Sequence, residues 1–475
     1  MLFNTVDFAV FLPIVLLLYW GVFKNSLRLQ NIFIVLVSYF FYACWDWRFL
    51  GLIFLSSIVD YVIGLQFDRV VSQKNRKRLL GCSLVFNLGL LFTFKYFNFF
   101  IDTFSDVFSL FGTQIQTTSI SIILPVGISF YTFQTLSYTL DLYNQKIKPT
   151  KNIVVFFAFV SFFPQLVAGP IERASRLLPQ FSKKRKFDYS SQVDGLRLIL
   201  GGLFKKMVIA DNCALLANQI FDTYPTQSGS TLFAGAVFFA FQIYGDFSGY
   251  SDIAIGSSRL LGFDLMKNFN FPYLSQNMSE FWKRWHISLS SWFRDYVYIP
   301  LGGSRVSNTR LVLNIFIVFL VSGLWHGANL TFVFWGAVHA LLVIPVLIMH
   351  KKYKTPAPLA PLAPVAIWRQ LLNIGVTFCM VVLAWVFFRA PTLTDAFTYI
   401  DIIFSSSFFT MPMVSRSALV LIFIYMFCEW LQRHKEHVLD VSHLSRPIRY
   451  CLYYLVCFAV FYYAGDLQPF IYFQF

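Results

Sequence analysis

Apolar runs separated by short polar connections repeat along the whole of this chain. They occupy residues 8–23, 31–45, 49–66, 79–97, 119–142, 152–169, 195–216, 231–262, 311–350, 370–388, 417–431 and 449–464. At about 1.5 Å of helical rise per residue, many are long enough to cross a hydrocarbon layer roughly 30 Å thick. A lipid-embedded backbone must satisfy its own N–H and C=O groups, so the runs predict helices. The pattern predicts an all-α polytopic membrane protein with one membrane-embedded domain over residues 1–475. Composition supports this: 57% of the residues are hydrophobic and 20% aromatic, against 13% charged. The mean hydropathy is +0.62, higher than a soluble core of this length requires.

The net charge of +15 would suit nucleic acid if the cations lined one exposed face, but they gather in the connections between apolar runs. Topology accounts for them, because cytoplasmic loops keep Lys and Arg and meet anionic headgroups there. Asp7 before the first run and Lys24 and Arg28 after it reverse the charge order of a signal peptide. That segment is expected to be retained, with the N-terminus outside. The Trp45-Asp46-Trp47 cluster then falls at the outer interface, and Arg69, Lys74 and Arg76-Lys-Arg78 fall inside. Lys146, Lys148 and Lys151 fall inside again, and the last run leaves the C-terminus outside. The outer loops then hold only Arg48, Arg389 and Arg416 as clear cations.

This alternation breaks twice. Residues 152–169 lie between Lys151 and the basic positions Arg173, Arg176 and Lys183-Lys-Arg-Lys186, and contain Pro164 and Gly169-Pro170. They read as a re-entrant element, tolerated where its broken backbone is buried in protein or lines a cavity. Residues 311–350 lie between Arg310 and Lys351-Lys352 and read as a hairpin or deep re-entrant pair. The aromatic and basic stretch 268–305 suits an amphipathic helix at the cytoplasmic interface, with a start near Ser279-Glu280 and a stop at Pro300 and Gly302-Gly303. The Pro-rich segment 355–364, inside the loop 351–369, reads as a cytoplasmic linker. The cysteines lack metal-ligand spacing and read as packing residues.

Candidate chemistry centres on His326, an imidazole inside an apolar run between Trp325 and Gly327. A neutral imidazole in a water-poor site can take the proton of a hydroxyl attacking an acyl carbonyl; otherwise it is a satisfied structural histidine. His286 lines a cavity mouth or anchors the interface, and His339 is a packing or helix–helix hydrogen-bonding group. The polar run Asp246-Phe-Ser-Gly-Tyr-Ser-Asp252 with Arg259 is unusual for a span. It is either a helix break with a buried Asp–Arg pair or a direct substrate site. No metal is expected, since the histidines lack compact ligand spacing, and P-loop, dinucleotide and nucleophile-elbow motifs are missing.

Several motifs together resemble the membrane-bound O-acyltransferases, in particular the bacterial branch that acetylates alginate. They are Met1-Leu-Phe-Asn-Thr, Pro125-Val-Gly-Ile-Ser-Phe-Tyr131, Ala168-Gly-Pro-Ile171, Asp246-Phe-Ser-Gly-Tyr-Ser-Asp252, Phe281-Trp-Lys-Arg-Trp-His286-Ile-Ser-Leu-Ser, Asp295-Tyr-Val-Tyr-Ile-Pro-Leu-Gly-Gly303, Gly323-Leu-Trp-His326-Gly-Ala and Pro469-Phe-Ile-Tyr-Phe-Gln-Phe475. The resemblance implies a ring of roughly 10–12 transmembrane helices with re-entrant elements around a central tunnel. It implies that His326 matches the family's essential histidine and His286 its second, upstream polar position. Trp325, Trp282, Trp285, Asn329, Asp246, Asp252 and Arg259 become candidates for the tunnel or substrate path.

The implied reaction is acetyl transfer from cytoplasmic acetyl-CoA, with no permanently bound cofactor, towards an exported polysaccharide such as alginate. An extracytoplasmic esterase-like partner of the SGNH type would complete it, and the protein would sit in the bacterial inner membrane. Tyr472 is an acceptor candidate or an interface anchor. Peptidoglycan is the alternative acceptor polymer. A transporter whose path is lined by Asp246, Asp252, Arg259 and His326 is the alternative class, and a non-catalytic scaffold is a third.

Overall fold

The computed structural model describes residues 1–110, 123–353, 366–465 and 468–471; Tyr472 and the segment 355–364 lie outside the described residues. The described residues form helices and turns, with no β-strand among them. They build two compact units, residues 1–196 with 254–266, and residues 197–253 with 267–475.

The first unit contains α1 (Val6–Leu17), α2 (Leu27–Asp46), α3 (Leu50–Arg69), α4 (Gln73–Leu91), α5 (Phe97–Leu110), α6 (Ile128–Tyr143), α7 (Ile153–Ser161), α8 (Phe163–Leu166), α9 (Ala174–Phe181) and the start of α10 (Tyr189–Leu203). Its interior helix is α6, buried from Ile128 to Thr139. Burial of polar groups there is matched by hydrogen bonds: Asp60 accepts from Ser83 Oγ at 2.6 Å and from Asn87 Nδ2 at 2.8 Å, tying α3 to α4. The run 152–169 is not one helix. α7 has nine residues, Phe162 leaves the helical region (φ −51°, ψ 106°), and α8 has four residues. Nine residues rise about 13 Å, less than half of a hydrocarbon layer.

The second unit contains the end of α10, a π-helical segment Phe204–Ala210, and α11 (Asp211–Asp222), α12 (Gly229–Leu260), α13 (Met278–Arg284), α14 (Ile287–Phe293), α15 (Asn308–His326), α16 (Leu330–Tyr353), α17 (Ile367–Arg389), α18 (Leu393–Ile403), α19 (Arg416–Leu431) and α20 (Arg446–Tyr462). Helix α12 runs unbroken for 32 residues, so the polar run 246–252 is no helix break. Its glycines permit close approach: a Cβ on Gly202 would lie 2.6 Å from the Gly249 carbonyl oxygen. The α15–α16 hairpin depends on the same device. A Cβ on Gly323 would lie 2.2 Å from the Phe332 oxygen, and one on Gly336 would lie 2.3 Å from the Phe319 oxygen.

The stretch 268–305 also departs from a single amphipathic helix. α13 starts one residue before Ser279, because Asn277 accepts the Glu280 amide as N-cap. Helix stops at Arg284 and resumes at Ile287, and His286 between them is left-handed (φ 43°, ψ 54°).

Six helical stretches among the described residues are long and apolar enough to cross a membrane: Leu27–Arg69, Gln73–Ser105, Gly229–Leu260, Asn308–His326, Leu330–Met349 and Ile367–Arg389. The first is two helices, because Asp46 is extended (φ −157°, ψ 110°) and its carboxylate accepts the Arg48 amide. Shorter apolar helices such as α19 and α20 turn large apolar side chains outward, including Phe423, Phe458 and Phe461. Such faces need lipid, not water, against them.

Candidate active site

His326 is the last residue of α15, which ends there because Gly327 is extended (φ −163°, ψ 155°). Its imidazole is 4% exposed. Ring centroids of Trp325, Trp335 and Phe388 lie 5.0, 5.2 and 5.3 Å from it. His326 thus sits at the helix end where the carbonyl groups carry a partial negative charge.

The His286 ring lies 6.5 Å from that of His326, centroid to centroid, at 64°. It is fully buried, edge-on to Phe247 at 4.6 Å. A left-handed backbone costs a non-glycine residue roughly 1–2 kcal/mol, so surrounding bonds must hold it. Asn268 supplies them. Its main-chain oxygen accepts the Ile287 amide at 2.8 Å. Its side-chain oxygen accepts the Ser288 amide at 3.2 Å and the Ser288 hydroxyl at 2.9 Å, and meets His286 Nδ1 at 3.1 Å.

The Asn268 amide nitrogen donates to Ser251 Oγ at 3.1 Å, which fixes the orientation of the amide. The oxygen facing His286 can only accept, so Nδ1 carries the hydrogen and Nε2 carries the lone pair. Nε2 is buried with no protein hydrogen-bond partner. Burial pushes the His286 pKa down to about 3, so at ordinary pH the ring is neutral and offers its lone pair as a hydrogen-bond acceptor.

His339 has the opposite polarity. Its Nδ1 accepts the Trp282 indole N–H at 3.3 Å, which leaves the hydrogen of the neutral ring on Nε2. Its ring lies 4.7 Å from Trp335, the indole that also packs on His326. Trp285 is buried 5.1 Å from Trp385, whose ring stacks on Trp335 at 5.6 Å. Trp282 and Phe319 also line a pocket of about 540 Å³ whose walls include Ile287, Ile315, Val343 and the exposed cations Lys283 and Arg294.

The polar run of α12 goes elsewhere. Asp246 pairs with Lys206 at 2.9 Å and accepts the Ile471 amide at 2.7 Å, and Asp252 pairs with Lys205 at 2.9 Å. Lys206 also pairs with Asp211 at 2.8 Å. Arg259 belongs to the first unit, where it pairs with Asp194. The carboxylates therefore have lysine partners and not an arginine. Asn329 caps α16 by accepting the Thr331 amide and donates to the Pro391 oxygen, both at 3.0 Å.

The structure thus gathers His286, His326, Trp282, Trp285 and Trp325 into one aromatic cluster, while Asp246 and Asp252 join a charge network and Asn329 a cap. The sequence reading passed over Asn268, Trp335 and the pair Lys205-Lys206. Two adjacent lysines inside the apolar run 195–216 were a visible signal, since cations in a span need partners. Asn268 had no signal, because its partners are up to 20 residues away. Among the described residues no group of His, Cys, Asp and Glu side chains could hold a metal ion.

These features define an integral-membrane protein with a buried histidine site suited to proton transfer. The sequence profile of MBOAT, the membrane-bound O-acyltransferase family, matches residues 145–388. A probable alginate O-acetylase of Pseudomonas aeruginosa is 38% identical over 417 residues, covering 88% of this chain and 77% of the relative. Its counterpart in Azotobacter vinelandii is 38% identical over 419 residues, covering 88% and 80%. A peptidoglycan O-acetyltransferase of Helicobacter pylori is 37% identical over 426 residues, covering 83% and 78%. The chain belongs to the membrane-bound O-acyltransferase family and is a multi-pass membrane O-acyltransferase. The family's chemistry implies an activated acyl donor of the acyl-CoA type.

Proposed function

We propose that this protein transfers acetyl groups from cytoplasmic acetyl-CoA across the bacterial inner membrane for O-acetylation of an exported, alginate-like polysaccharide. The relatives named for alginate O-acetylation support the acceptor class, and an SGNH-type extracytoplasmic partner would complete the transfer. The observation that carries the chemistry is the buried His286–His326 pair with a lone pair on His286 Nε2.

In the proposed reaction an acceptor hydroxyl oxygen attacks the thioester carbonyl carbon and its proton passes to His326. The negative end of α15 stabilises the resulting imidazolium. When the tetrahedral carbon collapses, the C–S bond breaks, and the thiolate takes the proton back from His326 to leave an ester and a free thiol. His286 accepts at Nε2 a hydrogen bond from a second hydroxyl of the acceptor and so aims the reacting one.

The 540 Å³ pocket suits the donor arm: its apolar walls exclude water, and Lys283 and Arg294 supply charge for phosphates. On this reading α7–α8 forms a re-entrant element, and the 268–305 stretch faces the cytoplasm. Peptidoglycan acetylation is the second reading, favoured by the Helicobacter pylori relative. A transport path along α12 is disfavoured by the lysine partners of Asp246 and Asp252.

The test is thiol release in proteoliposomes supplied with acetyl-CoA and acceptor, alongside polymer acetylation in cells. His326→Ala inserts normally and loses both activities; retained acetylation in that variant sinks the assignment. Substrate flux without thioester turnover would establish the transporter class instead.

A further inference from the structure

We infer that Asn268 is a positioning residue for the acyl transfer: its side-chain oxygen holds His286 in the tautomer that presents an Nε2 lone pair to an acceptor hydroxyl beside the reacting one. The inference rests on the proposed role of His286 in that reaction.

Three donors converge on one oxygen. The Ser288 amide cannot do other than donate, so the Asn268 atom it meets is an acceptor. His286 Nδ1, 3.1 Å from the same atom, must then be protonated to bond it. The opposite face of the amide is fixed by Ser251 Oγ on α12. The main-chain oxygen of Asn268 binds the Ile287 amide, so one residue grips the three-residue turn 286–288 by backbone and side chain together.

This grip sustains the left-handed His286 backbone that aims the ring at His326. The rings around His286 are Phe247, Phe269, Trp325 and His326, and of these only His326 titrates. At Nδ1 the ring meets the Asn268 oxygen at 3.1 Å and, at 3.5 Å, the Ser288 hydroxyl, whose hydrogen is given to that same Asn268 oxygen. A neutral amide acceptor selects the tautomer without stabilising the imidazolium, as a carboxylate would.

The experiment compares wild type with Asn268→Leu, Asn268→Asp and His286→Ala in proteoliposomes, measuring thiol release against acetyl-CoA concentration and pH. Elution as a single folded species is checked for each variant. Asn268→Leu is expected to lower kcat by about 100-fold with KM for acetyl-CoA unchanged, the loss typical of a misaligned acceptor.

Asn268→Asp keeps the acceptor in place. It is expected to retain kcat within about tenfold at high pH while the acidic limb of the profile moves upward by one unit or more, because the carboxylate favours the charged ring. A merely structural role would lower folded yield and leave the limb where it was. Wild-type kcat in Asn268→Leu, or a wild-type pH profile in Asn268→Asp, overturns the inference while loss of activity in His286→Ala upholds the site. Full activity in His286→Ala overturns the reading of the site and the inference with it. If Asn268→Leu does not fold, the pH profile of Asn268→Asp decides alone.

Discussion

Two regions of the second unit bury polar groups, and they treat them in opposite ways. Around Lys205 and Lys206 each of the carboxylates Asp211, Asp246 and Asp252 has a lysine within 2.9 Å. Glu429 nearby in sequence to α19's end receives the hydroxyls of Tyr244 at 2.5 Å and Tyr425 at 2.6 Å. Around His286 and His339 the bonding is half complete: one ring nitrogen is tied and Nε2 has no protein partner. Paired charges with excellent geometry cross-link helices, since removing either partner strands the other in low dielectric. A nitrogen held in a known protonation state and left without a partner is prepared to bond something that comes and goes. The charge network thus suits stability, and the aromatic cluster is where the proposed function places the chemistry.

The largest expected effect tests the second half of that contrast. His326→Ala should slow thiol release by on the order of 1,000-fold while its thermal midpoint in detergent stays close to wild type. A variant that unfolds but keeps its turnover per folded molecule would reverse the contrast.

Asp246→Ala tests the first half. It leaves Lys206 with Asp211 and the Gln468 main-chain oxygen and should cost roughly 3–5 kcal/mol, seen as early thermal unfolding. Replacing the whole group, as Lys206→Met with Asp246→Leu and Asp211→Leu, should recover much of that loss. A stable Asp246→Ala protein without turnover would instead place this carboxylate in the reaction.

The pH dependence of stability separates the regions further. His286 has its pKa lowered by burial to about 3 in the folded protein. The unfolded chain, with an ordinary imidazole near 6.5, binds more protons between these values, so stability is full above about 6.5 and falls as pH drops. Between pH 6.5 and 5 the loss amounts to roughly 2 kcal/mol. Thermal midpoints measured over that window should slope less in His286→Gln, and an unchanged slope would remove His286 as the source.

The smallest effect concerns the pocket wall. Lys283 and Arg294 are exposed, and each neutralising change to Gln should raise KM for acetyl-CoA by a few-fold, with kcat kept and the effect shrinking in high salt. An effect confined to kcat would mean that the pocket does not hold the donor.

Much of this was legible in the residues. Hydropathy located the apolar helices, and the Trp325-His326-Gly327 motif singled out the imidazole around which the cluster forms. The interruption at residues 152–169 was marked by its prolines and glycine, and α7 and α8 are indeed short. Other features were hidden because the contacts that define them join distant positions. Asp246 looked towards Arg259, thirteen residues along the same helix, but its lysine comes from the π-helical segment 204–210. The aromatic and basic pattern of 268–305 suggested one amphipathic helix, and nothing local announced that His286 would break it in a left-handed turn. His339 reads as a packing or helix–helix hydrogen-bonding group, and its bond joins α16 to Trp282 on α13, a partner 57 residues away that no local pattern names.

The sequence by itself determined that this chain lives in a membrane as helices, because the cost of burying backbone polar groups in lipid is local and each apolar run must meet it alone. It also determined which residue types are available for acyl transfer. Tertiary structure alone decided which buried groups are paired and which are left open, because a hydrogen bond or ion pair acts over about 3 Å and depends on helices that the chain brings together from far apart.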